Sequence, residues 1–233
     1  MNVVITGATK GIGRAIAEKF AEGGHTIVAC ARSINDLTEM EIAFKQQFQQ
    51  STLNTKSVDL SQKESAIGFG YWLIDEGLVP HVLVNNAGSF LPGTVHNEAD
   101  GTLEKMMEVN LYSAYHLTRT VLPSMMKNKT GHIFNMCSIA SLQAYTNGGS
   151  YSISKFALLG FSKNLREELK PHGIKVTAVC PGAVMSASWE GSDIDPKRIM
   201  EAKDIANRVY TAAHLSHMAV VEDIVMRPQL GDL

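Results

Sequence analysis

The chain has 233 residues, 45% of them hydrophobic, enough to bury the core of one sizeable α/β domain. Lysine plus arginine number 21 against 23 acids, a formal net charge of -2, so no global field favours nucleic acid or an anionic membrane. The three cysteines lack metal-ligand spacing, no run of about 18 apolar residues could span a bilayer, and Met1 leads almost directly into a β-rich run; free thiols, no metal and a cytoplasmic protein off the membrane are expected.

Apolar runs alternate with helical patterns along the whole length. Strands are expected near 2–6, 26–31, 53–58, 81–85, 131–136, 174–180 and 219–226. Helices are expected near 12–23, 34–49, 62–77, 100–127, 149–171 and 203–213. That order predicts right-handed crossovers and a doubly wound parallel sheet of about seven strands, one α/β domain over 1–233 with helices on both faces. Gly68 and Gly70 make the third helix the weakest of these, since each costs about 1 kcal/mol against alanine. The one long connection, 186–202, carries Gly191 and Pro196.

The first strand, NVVIT, runs into Gly7, Gly11 and Gly13 and then a helical RAIAEKFAEGG. Glycines let backbone approach a pyrophosphate, and a helix N-terminus offers it free N–H groups and a positive dipole end; a ligand-free βα turn would read the same way. At the end of the second strand, Ala31 stands where an acid would accept both ribose hydroxyls of NAD, and Arg32 follows. Arg32 can make a charge-assisted bond to a 2′-phosphate, Lys10 can approach from the glycine turn, and Ser33 can add a hydroxyl. NADP(H) is therefore the expected cofactor.

Tyr151 and Lys155 lie four apart in SYSISKFALLGFSKNLREELK, a segment of helical periodicity, so both project from one helix face. A free phenol titrates near ~10, and proton transfer near neutrality requires its anion to be stabilised by roughly 3 units, about 4 kcal/mol. A desolvated lysine one turn away supplies part of that. Ser138 ends the apolar run HIFNMCS, at the strand end where open α/β sheets place their sites, and its hydroxyl can polarise a carbonyl. The histidines have no ligand spacing, which leaves a zinc mechanism without support.

Taken together, TGATKGIG at 6–13, Asp59-Leu60, NNAG at 85–88, Asn110, Ser138, YSISK at 151–155 and PGAV at 181–184 resemble the short-chain dehydrogenase/reductase family over nearly the whole chain. The resemblance implies a Rossmann-type domain whose catalytic residues are Asn110, Ser138, Tyr151 and Lys155. It implies cofactor contacts from the turn residues Gly7, Thr9, Lys10, Gly11, Ile12 and Gly13, from Asp59 and Leu60 beside the adenine, and from Asn86, Ala87 and Gly88. Asn85 and Asn86 would fix the central strand, Lys155 would bond the nicotinamide ribose, and Asn110 would hold a water that relays protons. Pro181, Gly182, Val184 and Ser186 would lie at the carboxamide; the family usually has threonine at the position of Ser186. Segment 186–202 would be a lid, with Phe90, Leu91, Gln143, Tyr145, Met185 and Trp189 on the substrate side. The helices near 100–127 and 149–171 would pack against their twins in a homodimer or homotetramer. The tail VVEDIVMRPQLGDL, and PGAV followed by a Trp-containing segment, are similar to bacterial sepiapterin-reductase-like members. The implied reaction is NADPH-dependent reduction of a small-molecule carbonyl. A 3-oxoacyl-thioester reductase shares the four residues, and a non-catalytic NADP-sensing protein would use the fold without needing them.

Overall fold

The computed structural model describes residues 1–185 and 195–232. Seven strands, β1 (Asn2–Thr6), β2 (Thr26–Ala31), β3 (Thr52–Ser57), β4 (Val82–Asn85), β5 (Gly131–Met136), β6 (Ile174–Pro181) and β7 (Asp223–Met226), form one sheet in the order β3-β2-β1-β4-β5-β6-β7. Every pairing is parallel. The strand order reverses between β1 and β4, and the crevice above their carboxyl ends is where such sheets bind ligands.

The central strands are apolar on both sides because both faces are covered. Val3 and Ile5 of β1 join Ile16 and Phe20 of α1 (Gly11–Glu22) and Ile205 and Val209 of α7 (Ala202–Ala213) in one core. Val4 joins the opposite core, with Leu73 of α3 (Lys63–Asp75) and Leu117 and Val121 of α5 (Ser113–Asn128). The other α-helices among the described residues are α2 (Ile34–Gln47), α4 (Thr102–Met107) and α6 (Gly149–Leu169).

Two elements depart from the sequence expectation, and a third forms as expected for a reason the sequence does not show. The helix read over 100–127 is two helices, α4 and α5, joined by a π turn at Glu108–Tyr112. The Ser113 N–H reaches back to the Glu108 carbonyl, and the Ser113 hydroxyl donates to the Val109 carbonyl at 2.5 Å, taking the acceptor that a regular α-turn would use. The last strand pairs only from Asp223: the chain leaves a turn at Ser216–Ala219, and the Val221 carbonyl accepts from the Thr177 hydroxyl instead of joining the ladder. The weakest helix, α3, forms despite its glycines, and packing explains one of them. A Cβ at Gly70 would lie 2.7 Å from Cβ and Cγ2 of Thr120, so glycine lets α3 approach α5, whereas a Cβ at Gly68 would meet nothing within 4 Å.

All three cysteines are free and buried. Burial pushes the Cys30 thiol up to about 12, so it stays an inert packing group. His132 on β5 is also buried, with its ring stacked 3.9 Å from that of Phe134. Its Nε2 lies 2.7 Å from the Thr177 hydroxyl, whose only proton goes to the Val221 carbonyl, so Nε2 carries the hydrogen. Nδ1 then faces the core with no hydrogen-bond partner among the described residues.

Candidate active site

The glycine turn between β1 and α1 is built for close approach. Gly7 and Gly11 have φ of +62° and +55°, in the left-handed region that side chains avoid. A Cβ at Gly13 would lie 2.4 Å from both the Gly7 carbonyl oxygen and Asn86 Nδ2, so helix and turn are packed backbone to backbone. The first turn of α1 has neither an acidic residue nor a side-chain cap, which leaves its N–H groups directed at the crevice. Thr9 and Ile12 are half-buried in the same turn. This cradle fits a dinucleotide pyrophosphate.

The turn is fixed from β4. The Thr6 hydroxyl accepts from the backbone N–H of Asn86 (2.9 Å) and of Ala87 (2.8 Å), while Asn86 Nδ2 donates to the carbonyls of Thr6 (2.9 Å) and Gly7 (3.0 Å). Asn85 works one layer away, donating to Asn135 Oδ1 (2.8 Å) and the Thr118 hydroxyl (3.0 Å), and so ties β4 to β5 and α5. Asp59 Oδ1 accepts from the backbone and hydroxyl of Ser61, closing the turn into α3, and Leu60 beside it is buried.

At the end of β2 the cationic residues are arranged less simply than the sequence suggests. Arg32 is exposed, but Lys10 is not a free cation: its ammonium pairs with Asp36 at 3.1 Å. Asp36 is in the first turn of α2, where negative charge complements the helix dipole. The Ser33 hydroxyl is the N-cap of that helix, accepting from Asp36 N at 3.1 Å, and keeps its own proton available for another acceptor.

The four residues implied as catalytic come from three elements around the ends of β4 and β5. Lys155, 6% exposed, donates from Nζ to the Met136 carbonyl at 2.7 Å, and Nζ lies 5.8 Å from the centroid of the Tyr151 ring. That carbonyl holds the ammonium in the role the resemblance gives to a ribose hydroxyl. Asn110, in the π turn, is buried; Oδ1 accepts from Ser89 N (2.8 Å), and Nδ2 donates to Ser89 O (3.1 Å) and the Ser154 hydroxyl (2.9 Å). Its side chain is thus spent on holding the loop after β4 and α6. A Cβ on Gly88 would sit 3.0 Å from Asn110 Oδ1 and 3.5 Å from Lys155 Nζ, so that glycine is the gap through which the two groups face each other. Ser138 follows β5 and caps the short turn Ile139–Ser141, accepting from Ala140 N at 3.1 Å; the Ser152 hydroxyl ties that turn to α6 through the Ala140 carbonyl.

On the substrate side, Phe90 packs edge-on against Tyr151, with ring centroids 4.9 Å apart. Burial, with the Tyr151 phenol adding to it, pushes the Tyr145 hydroxyl up to about 12, so Tyr145 is a neutral donor at any working pH. Leu91, Gln143 and Met185 are exposed. Pro181 ends β6 and Gly182 N donates to the Met226 carbonyl at 2.7 Å. Val184 pairs with Met200 in an isolated bridge, and Met185 N donates to the Met200 carbonyl at 2.9 Å. The two ends of the expected lid are therefore fastened side by side. Ser186 and Trp189 lie outside the described residues. Thr6 and Ser154 lie inside the segments TGATKGIG and YSISK and Ser89 directly follows NNAG, but the sequence alone assigns none of the three its role in holding the site.

This is the architecture of a single-sheet dinucleotide-binding oxidoreductase, with a phosphate turn at β1 and a Tyr-Lys helix at the opposite flank of the crevice. Residues 1–196 match the short chain dehydrogenase family model, and the chain belongs to that family. It is 30% identical over 230 residues to a Staphylococcus epidermidis protein named as an uncharacterized oxidoreductase, covering 97% of this chain and 96% of the other. It is 29% identical over 239 residues to the sepiapterin reductase of Chlorobaculum tepidum, covering 99% and 97%. Among solved structures it superposes on a metagenomic short-chain oxidoreductase in complex with NADP, with a TM-score of 0.85 and 30% identity over 97% of this chain and 96% of the other.

Proposed function

We propose that the chain is an NADPH-dependent reductase of small carbonyl compounds, of the sepiapterin-like or broad-substrate kind. The observation that carries this is Lys155: a residue 6% exposed, its ammonium anchored on the Met136 carbonyl and 5.8 Å from the centroid of the Tyr151 ring. A buried lysine whose partner is a neutral carbonyl must offset its desolvation through function or pairing, and here it lies within reach of the Tyr151 phenol. The NADP complex of the metagenomic relative and the sepiapterin reductase from Chlorobaculum tepidum support the cofactor and the reaction class.

When bound, the cofactor supplies the hydride. Gly7, Gly11, Gly13 and the open first turn of α1 would hold its pyrophosphate, Arg32 with Ser33 its 2′-phosphate, and Val184 and the Pro181-Gly182 corner its nicotinamide end. Ser138 and Tyr151 donate hydrogen bonds to the substrate oxygen, which draws charge onto that oxygen as the carbon is reduced. Tyr151 transfers its proton to the oxygen, and the Lys155 ammonium stabilises the phenolate left behind. Phe90, Leu91, Tyr145 and Met185, which the resemblance puts on the substrate side, are uncharged, which suits a compact uncharged carbonyl.

Tyr151→Phe is the direct test. Turnover of NADPH with diacetyl or sepiapterin should fall by about three orders of magnitude while NADPH affinity, read by fluorescence, changes less than about threefold. A variant keeping a tenth of the turnover would remove the tyrosine from its role. Assembly belongs to the same reading: Leu103 on α4, Tyr112 in the π turn, and Ile153 and Phe156 on α6 are each at least 40% exposed, apolar side chains that suit a two-fold homodimer or homotetramer.

A further inference from the structure

The loop after β4 is tied to α6 by a side chain in a fitted socket. Glu98 Oε1 accepts from the backbone N–H of Ser150 at 2.8 Å, and Oε2 accepts from the Ser150 hydroxyl. Two glycines make the room. A Cβ at Gly149 would collide with Glu98 Oε1, and a Cβ at Gly93 would lie 2.8 Å from Glu98 Cγ and 2.9 Å from Oε1. Gly149 also has a φ of +38°, which places it in the left-handed region just as α6 begins. A backbone bond from Gly93 N to the Asn147 carbonyl, 3.1 Å, closes the strap beside the carboxylate.

Ser150 is the residue before Tyr151, and α6 has no N-cap from its own segment. Glu98 supplies that cap from 52 positions away, with a negative charge where the helix dipole is positive. Its loop also carries Ser89, bonded to Asn110, and Phe90, packed on Tyr151. The loop is therefore pinned at one end by Asn110 and at the other by Glu98, with the aromatic contact to Tyr151 between the pins. We propose that Glu98 is a positioning residue for the reaction: its carboxylate fixes the first turn of α6 and the wall of the substrate mouth together, setting where the Tyr151 phenol meets the carbonyl. This rests on the reductase reading above. Glu98 touches neither cofactor cradle nor reacting groups, so its loss should act on the chemical step and leave cofactor binding alone.

The test compares wild type, Glu98→Gln and Glu98→Ala with NADPH and diacetyl. Glu98→Ala should lower kcat about tenfold and raise the diacetyl KM, with NADPH affinity within about twofold. Glu98→Gln keeps an oxygen for the Ser150 N–H and should recover most of kcat. Hydrogen exchange, measured on the NADPH-bound proteins, gives a readout that does not need turnover: amides of 149–156 and of 89–98 should exchange faster together in Glu98→Ala and little changed in Glu98→Gln. Unaltered exchange over 149–156 in Glu98→Ala, or a kcat within twofold of wild type, would overturn the proposal. A wild type that reduces no carbonyl with NADPH would instead refute the reductase reading, and the exchange comparison would still decide whether Glu98 fixes α6.

Discussion

Acidification should destabilise this protein through His132 by an amount that can be worked out. Burial, and secondarily the charge of Lys175, pulls its imidazole from 6.5 down to about 3. In the folded chain Nε2–H is committed to Thr177 and Nδ1 has no partner among the described residues, so protonation would place a charge against Phe134 and the core with nothing to receive it. The unfolded chain takes up that proton first. The contribution is therefore complete above pH 6.5 and shrinks as pH falls toward 3. At pH 5 the loss is about 2 kcal/mol, a large share of a typical domain's stability. Urea unfolding at fixed protein concentration, pH 8 against pH 5, measures it when wild type is set beside His132→Gln. The variant should lose about 2 kcal/mol less, because the other histidines held below their usual range, among them His25, titrate in both proteins. Parallel losses in the two proteins would show that the buried ring is not the acid-sensitive group.

Two glycines in one helix should respond oppositely to the same change. Gly68→Ala, with open space around its Cβ, should raise stability by up to about 1 kcal/mol, whereas Gly70→Ala should lower it by about 1–3 kcal/mol through the clash with Thr120; thermal melts separate the two. For the cofactor, wild type should prefer NADPH over NADH by at least about tenfold in kcat/KM, about 1.4 kcal/mol, and Ala31→Asp with Arg32→Ala should move it toward NADH. Equal efficiency with both in the unmodified protein would refute the assignment of Arg32. Light scattering at micromolar concentration should give a dimer or tetramer mass; a monomer would mean that the exposed apolar residues of α4, the π turn and α6 have another use.

What the sequence made legible was what local periodicity encodes. The buried strands announce themselves as short apolar runs such as NVVIT and TIVACA, and the Tyr151–Lys155 spacing needs only the pitch of a helix. Apart from one local exception, the π turn, the misses depend on residues far along the chain. The π turn at Glu108–Tyr112 is invisible to hydrophobic spacing because its stretch remains helical throughout. The pairing of Lys10 with Asp36, and of Glu98 with Ser150, joins separate elements; Asp36, three residues after the Ser33 cap, reads only as helix-start chemistry, and Glu98 stands in no recognisable pattern. Gly70 reads as a helix weakness until Thr120 is placed opposite.

The π turn also separates two packing problems that a regular helix would couple. One extra residue in the turn rotates α4 by about 100° relative to α5. Downstream, α5 is locked in phase by the close approach of Thr120 to Gly70. Upstream, α4 faces α6, and Asn110 within the turn itself points at Ser89 and Ser154. Removing one residue from 108–112 would restore a straight helix whose two halves could no longer both be in phase with their neighbours: either the contact with α3 or the Asn110 hub would have to be given up. Chain length at this point is consequently fixed by geometry, and a single-residue deletion there should be far more damaging than a substitution at any of the same positions other than Asn110.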